Sequence, residues 1–396
     1  MAIIINIIYN KFRVFVFSYW ALMLSISGMY TMYILEIGFT KKEISFAVSI
    51  FTISTLIGQN LIGFVADRYK CTKRILLISI CIGVAAAVSM ALSKQVVFIN
   101  SMIGIWGFFL FGTVPLSEAW YIKVLKRHNK ENDYGKIRGL GSIGYALSGV
   151  FLGYLLQTFG WGIYVFYIII STCFLFISIF LLTANKNSSS NSAVADKNDT
   201  KAQISIKEGL SQILAIKPLR SMILILFFYY FVVKGIYSYL GVLLSDSGGG
   251  PFSLGVAYFF DAAPEIISFF LAARLLTRFK SQGLIFISFL IQIIRLTLIL
   301  IFSNTLVIML LGMLSGLAYG MQSAAYKTYI YKLAPEKYKV SCLSISESII
   351  SLSGVISAPI FGAVIMRYGT YSAIGLGLVI DIIVAIIVAI NLLRNK

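Results

Sequence analysis

The chain is poor in nearly everything a catalytic or metal site uses. A single histidine, His128, stands among 396 residues, and it lies in a basic loop, which nearly excludes a histidine-based site or proton relay. The four cysteines, Cys71, Cys81, Cys173 and Cys342, fall one to a segment without metal-type spacing, so neither a disulfide nor a metal is expected. Acidic residues number only 15, and charged residues of both signs make up 12% of the chain. With 59% hydrophobic residues and a mean hydropathy of +0.90, that is too little charge for a water-facing surface, which excludes a soluble domain. No nucleophile stands beside a base and no sizeable soluble domain is visible, so neither an enzyme nor a non-transporting receptor is expected, and no cofactor is called for.

What the chain has instead is long apolar runs. Charge-free stretches reach the roughly 20 residues that cross a hydrocarbon layer at 14–35, 44–66, 75–93 and 95–117. The run 139–185 is too long for one span, and Gly160-Trp161-Gly162 marks a hairpin inside it, giving six helices in the first half. The first of them has no small-residue cleavage site after it and reads as a retained helix, not a signal peptide. Residues 185–200 are polar, low in complexity and unable to bury a core, the pattern of a disordered linker. Segment 203–216 follows as a short surface helix with Ile204, Ile206, Leu210, Ile213 and Leu214 on its apolar side. Six further spans fall near 221–244, 253–276, 283–302, 304–333, 341–366 and 371–392. The expected fold is an all-α membrane protein of twelve transmembrane helices in two six-helix bundles, residues 1–184 and 219–396, joined by a cytoplasmic linker at 185–218.

In that layout both termini and the linker share one side, and most of the 33 Lys and Arg gather there. They include Lys11, Arg13, the 68–74 and 123–136 loops, the 186–220 segment, Arg274, Arg278, Lys280, Lys332, Lys337, Lys339, Arg394 and Lys396. The opposite side holds only Lys41, Lys42, Lys94 and Arg367. The positive-inside rule makes the basic side the cytoplasm, so a multi-pass protein of the cell membrane with both termini cytoplasmic is expected. The net charge of +18 is largely this topology signal and does not imply a nucleic-acid partner. The expected partners are the lipid bilayer, protons and a small-molecule substrate, with a monomer as the working unit.

One charged cluster interrupts the first half: Gly63-Phe64-Val65-Ala66-Asp67-Arg68-Tyr69-Lys70-Cys71-Thr72-Lys73-Arg74. It resembles the loop between the second and third helices of the major facilitator superfamily. The resemblance implies a carrier working by alternating access and makes Gly63, Asp67, Arg68 and Arg74 a conformational latch that shuts the cytoplasmic side in one state. Asp67 would then meet the positive amino terminus of a helix from the other half, and Gly63 would allow close helix approach. Without the resemblance, the same residues read as a polar turn obeying the positive-inside rule. Ala273-Arg274-Leu275-Leu276-Thr277-Arg278 is a faint second copy lacking the glycine and the aspartate.

Glu118, followed by Asp133-Tyr134-Gly135-Lys136-Ile137-Arg138-Gly139-Leu140-Gly141-Ser142-Ile143-Gly144-Tyr145, is similar to the lactose permease branch and its phenylpropionate and nucleoside relatives, which are proton symporters. The resemblance implies that Glu118, Arg138 and Tyr145 bind substrate. The intervening loop is two residues longer here, and the aromatic is tyrosine where that branch has tryptophan. A carboxylate and a guanidinium facing one cavity can hold a hydroxyl-rich solute by charge-assisted hydrogen bonds while an aromatic face packs on a ring. The alternative is that Glu118 and Arg138 snorkel to the headgroups. Gly139, Gly141, Gly144, Gly149 and Gly153 read as close-packing positions, and no Gly-Pro pair interrupts them, unlike the drug/proton antiporter branch.

The second half holds nearly all the ionisable residues at membrane depth: Lys234, Asp261, Glu265, Arg295, Lys327, Glu347 and Asp381. Each is costly there unless paired or hydrated. A rise of about 1.5 Å per residue puts Lys234, Asp261 and Arg295 at one height, as candidate partners. Asp261 and Glu265 are one turn apart, with Pro264 between them to loosen the backbone. In the permease branch a helix-eight glutamate and a helix-nine arginine match Glu265 and Arg295, whereas that branch's Lys/His/Glu cluster on the tenth helix is missing. Proton coupling is therefore expected from Asp261, Glu265, Arg295 and Lys234, since moving a cation toward or away from a carboxylate unloads or loads its proton. Lys327 and Glu347 share a height as a structural ion pair, with a gating role second, and Asp381 is left without a role. Tyr229, Tyr230, Tyr237 and Tyr239 are candidate cavity-lining residues. The function expected is proton-coupled symport, driven by the proton gradient, of a sugar, nucleoside or aromatic acid; the alternative is proton-driven drug or metabolite efflux.

Overall fold

The computed structural model describes residues 2–69, 71–127, 134–183, 215–335 and 338–394. All of the expected linker but residues 215–218, nearly all of the 203–216 surface helix, His128, Asp133 and the Asp67 side chain lie outside the described residues. What is described is helix joined by short turns, with no strand among those residues. In hydrocarbon every backbone N–H and C=O must be satisfied within its own segment, which leaves the helix as the solution for an isolated apolar run.

Eleven segments are long and apolar enough to cross a bilayer: Lys11–Glu36, Lys41–Ala66, Thr72–Leu92, Val96–Lys123, Ile137–Phe159, Trp161–Leu182, Lys217–Ser238, Arg274–Phe302, Thr305–Leu333, Cys342–Tyr368 and Thr370–Ile390. The twelfth is the front of the helical run Pro251–Phe302, which carries Asp261 and Glu265. Lys280 breaks that run (φ 56, ψ 169) into the eighth and ninth spans. Helical angles continue through Pro264, so the loosening expected there is not seen. The helical runs of the first, fourth, seventh and tenth spans are each broken once, at Gly28–Met29, Phe111–Thr113, Tyr239 and Leu311.

Small residues set the helix contacts, as they do where lipid and leucine are equally apolar. A side chain at Gly144 would strike the Phe17 backbone and one at Gly141 the Trp20 ring, which fixes the fifth span against the first. Gly149 and Gly153 meet Gly255 and Pro251 of the eighth span. Gly312, Gly316 and Gly320, at four-residue spacing on the tenth span, lie on the eighth at Ala257, Asp261 and Ser268. Gly139 departs from the expected close packing, since a side chain there would meet nothing within 4 Å. Many buried hydroxyls bond back into their own helix, as Ser288 does to the Leu284 carbonyl at 2.7 Å and Ser346 to Cys342 at 2.7 Å, so they carry no site. Outward-facing Phe46, Ile78, Phe166, Ile170 and Ile386 are exposed, forming the apolar belt a bilayer covers.

The two groups of six spans touch chiefly at the face opposite the termini. There Tyr258 donates to the Gly28 carbonyl at 3.1 Å, Tyr239 to the Ser45 hydroxyl at 3.3 Å, and Lys41 pairs with Asp246 at 2.6 Å. Thr370 also donates to Asp246. Because Gly255 abuts the Gly149 backbone in this seam, Gly255→Leu is expected to separate the halves there. A cysteine placed at Ser27 should then be labelled by an impermeant maleimide from that face several times faster than in the parent; unchanged labelling would show that the seam does not depend on this contact.

Candidate functional site

Between the two groups of spans lies a cavity of about 470 Å³ whose wall is built by helical spacing. From the first span come Trp20, Ser27, Tyr30 and Thr31, and from the fifth Arg138, Ser142 and Tyr145, at i, i+4 and i+7 on one helix face. The seventh offers Tyr230, Lys234 and Tyr237 with the same spacing, the eighth Tyr258, Asp261 and Glu265, and the tenth Ser315, Tyr319, Ser323, Tyr326 and Lys327. Glu347 comes from the eleventh.

The three residues expected to hold substrate do come together. Arg138 Nε lies 3.5 Å from Glu118 Oε1, and the guanidinium stacks 4.4 Å over the Trp20 ring. Trp20 meets Tyr145 edge-on at 6.4 Å. Tyr145 in turn touches Tyr258 (5.7 Å between centroids) and shares a 3.0 Å hydrogen bond with the Tyr237 hydroxyl, so the aromatic wall crosses from one half to the other. Arg138 does not snorkel to the headgroups: it lines the cavity, its planar group stacked on an indole and paired with a carboxylate. Glu118 stands behind Arg138 and does not itself line the cavity. Across the space, Glu265 of the eighth span also acts on the Arg138 guanidinium, without an ion pair between them.

Lys327 and Glu347 form the expected pair at 3.1 Å, reinforced by the Tyr326 hydroxyl donating to Glu347 at 2.6 Å. Their side chains are each 52% exposed although they line the cavity, so they sit at its open mouth, on the face that carries the termini. That openness explains the state of the loop cluster. Arg68 and Arg74 are exposed, and a side chain at Gly63 would meet nothing within 4 Å. The close approach expected of Gly63 is absent because the helices splay on this face.

Two further expectations are corrected. Lys234 does not join Asp261 and Arg295: its stem lies against Gly354, and the carboxylate acting on it is Glu347. Arg295 is buried behind the cavity wall at 5% exposure and forms an ion pair with neither Asp261 nor Asp381, although both act on it. Of the four tyrosines, Tyr230 and Tyr237 line the cavity. Tyr229 is buried behind it against Phe289, at 5.1 Å, and Tyr239 belongs to the closed seam. Trp20 and Tyr258 were missed as wall residues; their signal was the face each shares with a polar neighbour, Tyr258 standing one turn before Asp261.

Residues 9–369 match the MFS_1 like family. The chain is 22% identical over 365 residues to a maltose permease of Geobacillus stearothermophilus, covering 91% of this chain and 88% of that protein. Its fold superposes on the crystal structure of the nucleoside transporter NupG with a TM-score of 0.77 at 15% identity, over 96% of this chain and 98% of the other. It also superposes on a bacterial homologue of the human lysosomal transporter Spinster, solved inward-facing and unoccupied, with a TM-score of 0.69 at 12% identity, over 97% and 95% of the two chains.

Proposed function

The chain belongs to the MFS_1 like family and is a secondary transporter of the major facilitator type, and from that premise we propose that it takes up a small ring-bearing polar solute together with protons. The carrying observation is the cavity wall in which Arg138, paired with Glu118 and stacked on Trp20, stands beside the tyrosines at 145, 237 and 258. A guanidinium offers directed donors to hydroxyls or a carboxylate, and the aromatic edges and faces pack on a ring. The sugar and nucleoside named for its relatives are solutes of this chemistry, as are aromatic acids. Proton coupling is assigned to Asp261 and Glu265, with Arg295 and Arg138 as the cations whose movement loads and unloads them. The open face is read as cytoplasmic from its basic loops, which makes this conformation the inward-facing one, and the chain works as a monomer in the cell membrane.

Right-side-out vesicles given an inward proton gradient test the reading. Solute accumulation above equilibrium, abolished by a protonophore, is the expected result. Net extrusion under the same gradient would replace uptake with efflux, and flux indifferent to the protonophore would remove the proton.

A further inference from the structure

Behind the cavity wall the ninth and twelfth spans enclose an acid that the transport reading leaves unused. Asp381 lies in the middle of the twelfth span with 0% exposure, and neither of its carboxyl oxygens has a hydrogen-bond partner. The charged or titratable groups acting on it are Arg295 from the ninth span and Tyr229 from the seventh; the eleventh span, which also packs on the twelfth, brings none among the described residues. Arg295 is itself incompletely used, its Nη1 reaching Gln292 at a long 3.5 Å while its Nε is unpartnered. Arg295 also acts on Asp261, which lines the cavity beside Ser315.

Two carboxyls and one guanidinium in a low-dielectric interior balance only if one proton is held. A wholly enclosed ionised carboxylate without hydrogen bonds is among the most unfavourable arrangements a protein can adopt, whereas its neutral acid is tolerable. We propose that Asp381 is a proton-carrying site of the transport cycle, reached from the cavity through Asp261, with Arg295 moving between the two carboxyls so that the one it leaves holds the proton. With Arg295 on Asp261, Asp381 is the neutral acid. When Arg295 turns to Asp381, the proton passes to Asp261, so one proton is held and no net charge is stranded in either arrangement; release to the cavity then leaves the ionised carboxylate at Asp261, on the cavity wall, and not in the enclosed site. The chemical class bound is the proton alone: nothing in the pocket offers the several oxygens a metal cation takes.

The proposal rests on the proton-coupled reading, and its test is chosen so that the two fail separately. Infrared difference spectra of the protein in proteoliposomes, stepped in pH without solute or gradient, read protonated carboxyls directly. The wild type should show an enclosed acid C=O band that Asp381→Asn removes and Asp381→Glu shifts. Asp261→Asn should remove the same band, because Arg295, with no charge left at 261, settles on Asp381 and ionises it. A band unaffected by either change at 381 overturns the site. A band lost in D381N but kept in D261N overturns the movement of Arg295. Should D381N not fold, D381E and D261N still decide between these outcomes. Vesicle flux independent of protons would end the coupling reading while leaving these spectra as they are.

Discussion

Arg138→Leu is expected to abolish measurable solute binding, with a loss of about 100-fold or more in affinity. The guanidinium is the centre of three interactions: the 3.5 Å pair with Glu118, the 4.4 Å stack on Trp20 and the field of Glu265 across the cavity. A hydrogen bond from a charged donor to a bound solute is worth about 1.5 to 3 kcal/mol, and a forked guanidinium makes two. In a partly exposed site, with side chains 26% and 32% exposed, the lower end applies to each, and about 3 kcal/mol together is roughly 100-fold. Arg138→Lys keeps the charge but forfeits the flat stack and the forked donors, so a loss of about tenfold is expected. The measurement is a thermal-shift titration with the solute that most stabilises the wild type in a panel of sugars, nucleosides and aromatic acids, since binding to the folded state raises its melting temperature by mass action. The unliganded melting temperature of each variant separates lost binding from lost fold. Wild-type affinity in the leucine variant would remove Arg138 from the site.

Which parts of this arrangement the sequence carried follows from what a one-dimensional pattern encodes. Hydropathy marks where helices run, and the observed spans agree with the sequence boundaries to within a few residues, the eighth excepted as an apolar signal because Asp261 and Glu265 dilute it. Helix rise gives height within the membrane, and where two helices are neighbours height is enough, as for Lys327 and Glu347. Height says nothing of azimuth, which is why Lys234 shares a height with Asp261 and Arg295 yet has Glu347 as the carboxylate acting on it. The spacing of Tyr230, Lys234 and Tyr237 put those three on one face, while Tyr229 lies about 100° round and Tyr239 follows the break after Ser238. Trp20 was illegible because an indole in an apolar run looks like packing until Arg138 is found above it. The glycines at 312, 316 and 320 carried a readable spacing for close approach, and it marks the face that brings the eighth span's acids to the cavity.

That face is where energy coupling is expected to be lost by a single atom change. Glu265 lines the cavity and acts on Arg138 from the opposite half, so its charge bears on how the two halves sit relative to each other. On the proton-coupled reading, ionised Glu265 draws the Arg138 side toward it and protonated Glu265 lets go, so that substrate and proton together permit the rocking that neither permits alone. Glu265→Gln fixes the released condition in nearly the same volume. The variant should therefore bind solute and exchange internal for external label at rates near wild type, yet concentrate nothing. An inward gradient of one pH unit is worth about 1.4 kcal/mol per proton, enough for roughly tenfold accumulation of a neutral solute by a one-proton carrier. The wild type should approach that ratio in proteoliposomes and the variant should stay at equilibrium, with Glu265→Asp intermediate because the acid remains but stops about one methylene short. Wild-type accumulation in Glu265→Gln would take the residue out of the coupling path and leave Asp261 as its only cavity-facing carboxyl on the eighth span.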